Sequence, residues 1–178
     1  MDRVDPRTKQ CRVEVHHDDE MRSLEDACGD GFTFGTGARN STHHVREIPE
    51  LAEGDQLFML DVYEHGLVLY SLASNGPQCQ WDTARGGAFI ILHAEAGWNM
   101  DNAESIARGI AQNITTWANG DIYGFTVEDM TGTEIDSCWG IMDHEGDGIV
   151  EYVRSAIGDL AIAEVNETAS DLGFKVAA

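Results

Sequence analysis

Lysine is almost missing from this 178-residue chain: two lysines and nine arginines stand against 17 aspartates and 15 glutamates. The formal net charge of −21 argues against free nucleic acid as a direct partner, because binding a phosphate array needs neutralising cations. Also absent is any apolar run of about 18 residues, so no membrane-spanning helix is expected. The opening residues, MDRVDPRTKQCRVEV, lack the apolar core of a signal peptide, and a cytoplasmic location is expected. The four cysteines, at 11, 28, 79 and 138, form no C-x-x-C pair, so neither a zinc finger nor a disulfide framework is indicated.

Apolar residues make up 42% of the chain, too many for a disordered protein despite the charge. The length suits one domain burying about two-thirds of its surface on folding. Of the 32 carboxylates, only Asp61, Glu64 and Asp82 fall between Gln56 and Ala94, which marks that segment as core. Residues 1–55 read as an acidic, loop-rich part and 56–178 as the sheet-and-helix core.

Along the chain, residues 10–16 alternate as a first strand, with Cys11, Val13 and Val15 on one face. Residues 29–42 are glycine-rich and read as loop, and 45–53 as a turn of helix interrupted by Pro49. Leu57 to Tyr63 and Leu67 to Ser71 read as a hairpin turned at Gly66, followed by a turn over Ser74 to Pro77. Ala88 to Ala94 is a third strand-like run. An amphipathic helix is predicted over about 101–118: Ala103, Ile106, Ala107, Ile110, Ala111, Ile114 and Trp117 recur at helical spacing, and Asn119-Gly120 ends it. Asp101 with Glu104 gives its start. Ile122 to Val127 and Thr133 to Ile141 read as a second hairpin, and a last helix is predicted over about 149–172, stopped by Gly173. Runs of strands rather than strict βαβ alternation predict an α+β fold with a largely antiparallel sheet.

Several residues carry candidate chemistry. His65, Cys79 and Asp82, with Asp136 and Cys138, supply a thiol, an imidazole and carboxylates, the parts of a nucleophilic site. Core packing is the blander role for the two thiols. A metal could draw on His65, Cys79 and Cys138, with His16-His17 or His43-His44 adding ligands, but without paired ligand spacing no metal or cofactor is expected. Asp143 to Gly148 has acids at positions 1, 3 and 5 of a calcium loop, yet Arg154 stands where the bidentate glutamate belongs, so it reads as a loop and N-cap. Trp81 and Trp139, each beside a thiol, read as core fillers; exposed, they would be binding anchors within an acidic surface, with Asp136 beside them.

The motifs LDVYEHG (60–66), CQWDTARGG (79–87), GDIYGFTVED (120–129) and EIDSCWG (134–140) together resemble a family of small phage and integrative mobile-element proteins. Its members carry a Tyr-Asp-His-Ser-Gly hairpin, a Cys-Pro-Trp-Asp-Ser-Gly turn, a Gly-Asp-Val-Tyr-Gly strand and an Asp-Ser-Cys-Trp-Gly strand. The resemblance spans residues 56–141 and reaches His65, Cys79, Trp81, Asp82, Gly86, Tyr123, Asp136, Cys138 and Trp139. Glu64 replaces the family's Asp and Gln80 its Pro. What it implies is a mobile-element origin. The expected function is an acidic accessory protein that binds a host protein, with an anti-defence inhibitor mimicking nucleic-acid charge as its sharpest form. The alternatives are a Cys/His or metal-dependent enzyme centred on His65, Cys79, Asp82 and Cys138, and a halophilic housekeeping domain.

Overall fold

A computed structural model of the chain describes residues 10–19, 23–37, 43–73, 75–143 and 148–177. In chain order the described elements are β1 (Gln10–His17), α1 (Leu24–Cys28), β2 (Phe32–Thr36), β3 (Gln56–Glu64), β4 (Val68–Leu72) and β5 (Thr83–Leu92). Then follow α2 (Ala103–Asn119), β6 (Ile122–Asp129), β7 (Glu134–Met142), α3 (Gly148–Ile157), β8 (Ala161–Val165) and α4 (Glu167–Asp171). The fold is α+β, as expected, with the strands divided between two sheets of four. They belong to two compact units: Ser23–Asn119, and a second drawn from Met1–Arg22 with Gly120–Ala178.

The Ser23–Asn119 unit holds an antiparallel sheet in the order β2-β5-β3-β4. Ala88 to Leu92 of β5 lie between two partner strands and are all buried, which explains why that run is apolar without alternation. Ala88, Ile90 and Leu92 share a core with Ala103, Ala107, Ile110, Ala111 and Ile114 of α2. Burying a side chain the size of Ile114 is worth about 1.5–3 kcal/mol. Phe89 points the other way, and its ring lies over Gly35, where a Cβ would come within 2.5 Å of it. Strand β4 sits at the sheet edge, and α2 covers its open backbone. Tyr70 N–H donates to Thr115 Oγ1 at 2.9 Å, Val68 N–H to Asn119 Oδ1 at 2.9 Å, and Asn119 Nδ2 to Val68 O at 2.7 Å. An edge closed this way offers no template for another strand.

The second unit holds the order β7-β6-β1-β8, antiparallel except for the parallel β1–β8 pair. Cys11, Val13 and Val15 do face one core, joined by Phe125, Val127, Ile141, Ile149 and Val153. Asn166 caps α4 through Ala169 N–H (2.9 Å) and clips β1 through both Val15 N–H (3.1 Å) and Val15 O (2.7 Å). At the β6–β7 turn, Asp129 Oδ1 accepts from Thr131 N–H at 2.8 Å and Thr133 N–H at 3.0 Å, while Gly132 takes φ +83°.

Four expectations are corrected. Glycine-rich residues 29–42 contain β2; residues 38–42 lie outside the described set, as does Ser74 of the turn before Pro77. Residues 45–53 form no helical turn. The helix expected over 149–172 stops at Ile157, because Gly158 adopts φ +55° as a left-handed stop; Ala161–Val165 then leaves as a strand beside β1. The predicted start at Asp101 is a 3₁₀ turn over Met100–Asn102 capped by Asn99, whose Oδ1 accepts from Asp101 N–H at 3.2 Å. Residues 144–147 of the calcium-like segment lie outside the described residues, while Asp143 caps α3 as expected, accepting from Ile149 N–H at 2.9 Å.

Candidate functional site

The turn between β4 and β5 is held rigidly from below. Asp61, 4% exposed in β3, accepts from Gln78 Nε2 at 3.0 Å through one oxygen and from Gly86 N–H at 2.9 Å through the other. The β3–β5 register slips beside it, between Leu60 and Val62, so the carboxylate closes a bulge around Gly86, whose φ is +60°. Thr83 Oγ1 accepts from Cys79 N–H at 3.0 Å and donates to Pro77 O at 2.9 Å. Glu64 N–H donates to Asp82 O at 2.9 Å, tying the turn to the β3–β4 hairpin.

On this frame three predicted residues meet. Cys79 Sγ donates to Asp82 Oδ2 at 3.2 Å, and His65 Nδ1 lies 3.4 Å from the same oxygen, with its side chain 72% exposed. The sulfur's hydrogen bond therefore goes to a carboxylate and not to the imidazole. A thiolate at that place would face a like charge, the reverse of the thiol–imidazole pairing that activates a cysteine. Cys138 and Asp136 stand in the other unit on β7: Cys138 Sγ contacts Trp139 O at 3.8 Å, and Asp136 Oδ1 accepts from Ser137 N–H at 2.9 Å. Among the described residues no three His, Cys, Asp or Glu side chains are grouped to hold a metal ion.

Both tryptophans correct the core-filling expectation. Trp81 is 87% exposed and Trp139 is 52% exposed. Trp81 sits on the rim of an open groove of about 480 Å³, lined also by Thr36, Val62, Glu64, Asp82 and Gly87. Trp139 is laid across its sheet: a Cβ on Gly124 would collide with the six-membered ring of Trp139, so only glycine leaves room for the indole. His16 pairs with Gly124 in register and continues the row, its ring 6.2 Å from Trp139 and tilted by 13°. Gly140 N–H donates to Asp18 Oδ2 at 2.9 Å, fixing the strand next to the ring. His16, His17, Asp18 and Asp19 line a hollow of about 350 Å³ against Trp139.

Two further groupings escape sequence reasoning. Asp61 is visible in sequence only as a lone acid inside an apolar strand. Thr33, Asp55 and His93 are far apart in sequence and carry no shared pattern, yet Thr33 Oγ1 is 2.8 Å from His93 Nε2, and His93 Nδ1 is 3.2 Å from Asp55 Oδ2. Ala94 N–H (3.0 Å) holds the Asp55 carboxyl below its ordinary range, aided by His93 and by Ala52 N–H. The order hydroxyl–imidazole–carboxylate is that of an activated hydroxyl. Here it clasps β2, the turn before β3 and the end of β5. Burial raises the thiol of Cys28 to about 11 and also raises that of Cys11, so both read as packing.

No protein-family model, no curated protein and no solved structure matches this chain.

Proposed function

We propose that this chain is an acidic accessory protein of a virus or mobile element that binds a basic protein of its host. The observation that carries the reading is the exposure of two tryptophans, Trp81 above all, on a chain of net charge −21. A Trp side chain offers about 200 Å² of surface, and about 25 cal/mol per Å² makes its burial worth ~5 kcal/mol gross to a partner. The carboxylates add long-range attraction and speed encounter with a basic cleft such as a nucleic-acid channel. The four motifs over residues 56–141 supply the mobile-element part of the proposal.

Capture from host extract on immobilised protein tests it. The expected captives are nucleic-acid-binding proteins, released both by raising salt from about 0.1 M to 1 M and by added duplex DNA. Capture indifferent to salt and to DNA removes the mimicry. The enzyme alternative has weaker support, since the thiol of Cys79 is bonded to Asp82 and not to His65. A halophilic housekeeping domain differs in its response to salt alone: it unfolds when salt is withdrawn and captures nothing.

A further inference from the structure

We infer that the groove beside Trp81 takes an arginine side chain from a basic segment of the partner. This rests on the protein-binding reading above and adds the chemistry of the contact. At the rim of the groove stands an indole that is 87% exposed, a surface on which a planar guanidinium stacks. Two carboxylates, Glu64 and Asp82, line the same groove, and no Lys or Arg does so among the described residues. Their backbones are joined by the Glu64 N–H to Asp82 O bond, so both acids stand at one place.

Elsewhere the surface acids are partly neutralised. Glu104 pairs with Arg108 at 2.8 Å, and Glu128 and Glu164 share Arg12 at 3.5 and 2.7 Å. At the groove, Glu64 makes no ion pair among the described residues. Asp82 is steadied by Cys79 and His65 on Oδ2 alone, which leaves Oδ1 to accept. An oriented carboxylate, a second acid beside it and a flat aromatic face together match a forked, stackable cation better than a compact ammonium. A purely apolar occupant would leave both carboxylates desolvated and unpaired, and a phosphate would meet like charge.

The test uses the full chain and two peptides of equal charge, nine arginines or nine lysines, titrated while tryptophan emission is followed, with calorimetry as the second readout. The wild type is expected to bind the arginine peptide at least fivefold more tightly than the lysine peptide. Trp81→Ala is expected to weaken the arginine peptide about tenfold and to erase the preference, Glu64→Gln to weaken it about threefold, and Trp139→Ala to leave the preference intact. Circular dichroism confirms that each variant is folded. Equal binding of the two peptides, or a preference unchanged in Trp81→Ala, overturns the inference. A captive protein whose release is salt-sensitive but untouched by Trp81→Ala overturns the groove and leaves the proposed function standing. Arginine-selective binding without any captive leaves the groove standing and removes the host-protein reading.

Discussion

The two units solve one problem in different ways. Each is a four-stranded sheet with an amphipathic helix on a face, α2 in one and α3 in the other, and each shows a tryptophan to solvent. In the Ser23–Asn119 unit the ring rides on a turn, and the hydrogen bonds that hold it come from Asp61, Thr83 and Glu64 beneath. In the other unit the ring belongs to a strand and rests on its neighbour, in the space a missing Cβ leaves at Gly124. A ring on a turn is presented almost whole. A ring on a sheet trades half its surface for a fixed orientation. The first arrangement suits an anchor that enters a partner, the second a platform on which a partner lies.

Substitutions that break each support separate the two arrangements. The largest effect is expected in a core. Ile114→Ala removes a fully buried side chain facing β5 and should cost about 3–4 kcal/mol in denaturant unfolding. Asp61→Ala comes next, at about 2 kcal/mol, because it removes the buried carboxylate whose two hydrogen bonds tie Gln78 Nε2 and Gly86 N–H to β3; the emission of Trp81 should change with it. Gly124→Ala should cost about 1–3 kcal/mol and lift Trp139 from its strand, read as a loss of its near-ultraviolet dichroism. Removing the rings themselves sharpens the contrast: Trp81→Ala should stay within about 0.5 kcal/mol of wild type, while Trp139→Ala should cost about 1 kcal/mol for the uncovered strand.

Acid weakens a hydrogen-bonded aspartate in each unit. Hydrogen bonds lower the carboxyl of Asp55 (Ala94 N–H first) and that of Asp129 (Thr131 first) below the usual aspartate value of about 3.9. A lowered folded value means the stabilisation is complete above about pH 4 and is lost as pH falls through the still lower folded values. Above that window the opposite sign operates: protonating exposed acids relieves the repulsion of a −21 chain, so stability should rise slightly from pH 7 towards 5 at low salt. Thermal melts across pH, with Asp55→Asn and Asp129→Asn beside wild type, should show a reduced loss below pH 4 in each variant.

Much of the framework was legible in the sequence because local signals agreed with tertiary demands. The β3–β4 hairpin turns at Gly66 with φ +77°, α2 ends at Asn119-Gly120, and the Asp129–Gly132 turn closes the second hairpin. Where reading failed, one residue served two causes. Gly35 looks like a loop glycine but is a strand residue making way for Phe89, so β2 was hidden. Gly158 lies inside the span predicted as one helix, and its left-handed φ of +55° is set by where the chain must turn towards β8, which residue type alone does not show. At the site, the meeting of His65, Cys79 and Asp82 was foreseeable from their places on adjoining turns. The exposure of Trp81 and Trp139 was not, because residue type says how much surface a side chain has and nothing of which way it faces. The Thr33–His93–Asp55 clasp joins segments 22 to 60 residues apart, a distance over which sequence carries no geometric mark.

Under the proposed function Trp81 and Trp139 anchor a partner, and neither ring carries more than about 1 kcal/mol of the fold. The direct measurement is partner capture by the double variant Trp81→Ala/Trp139→Ala, run with its unfolding curve. A loss of stability no greater than about 1.5 kcal/mol with capture abolished is the predicted result. Undiminished capture by a folded double variant would contradict it.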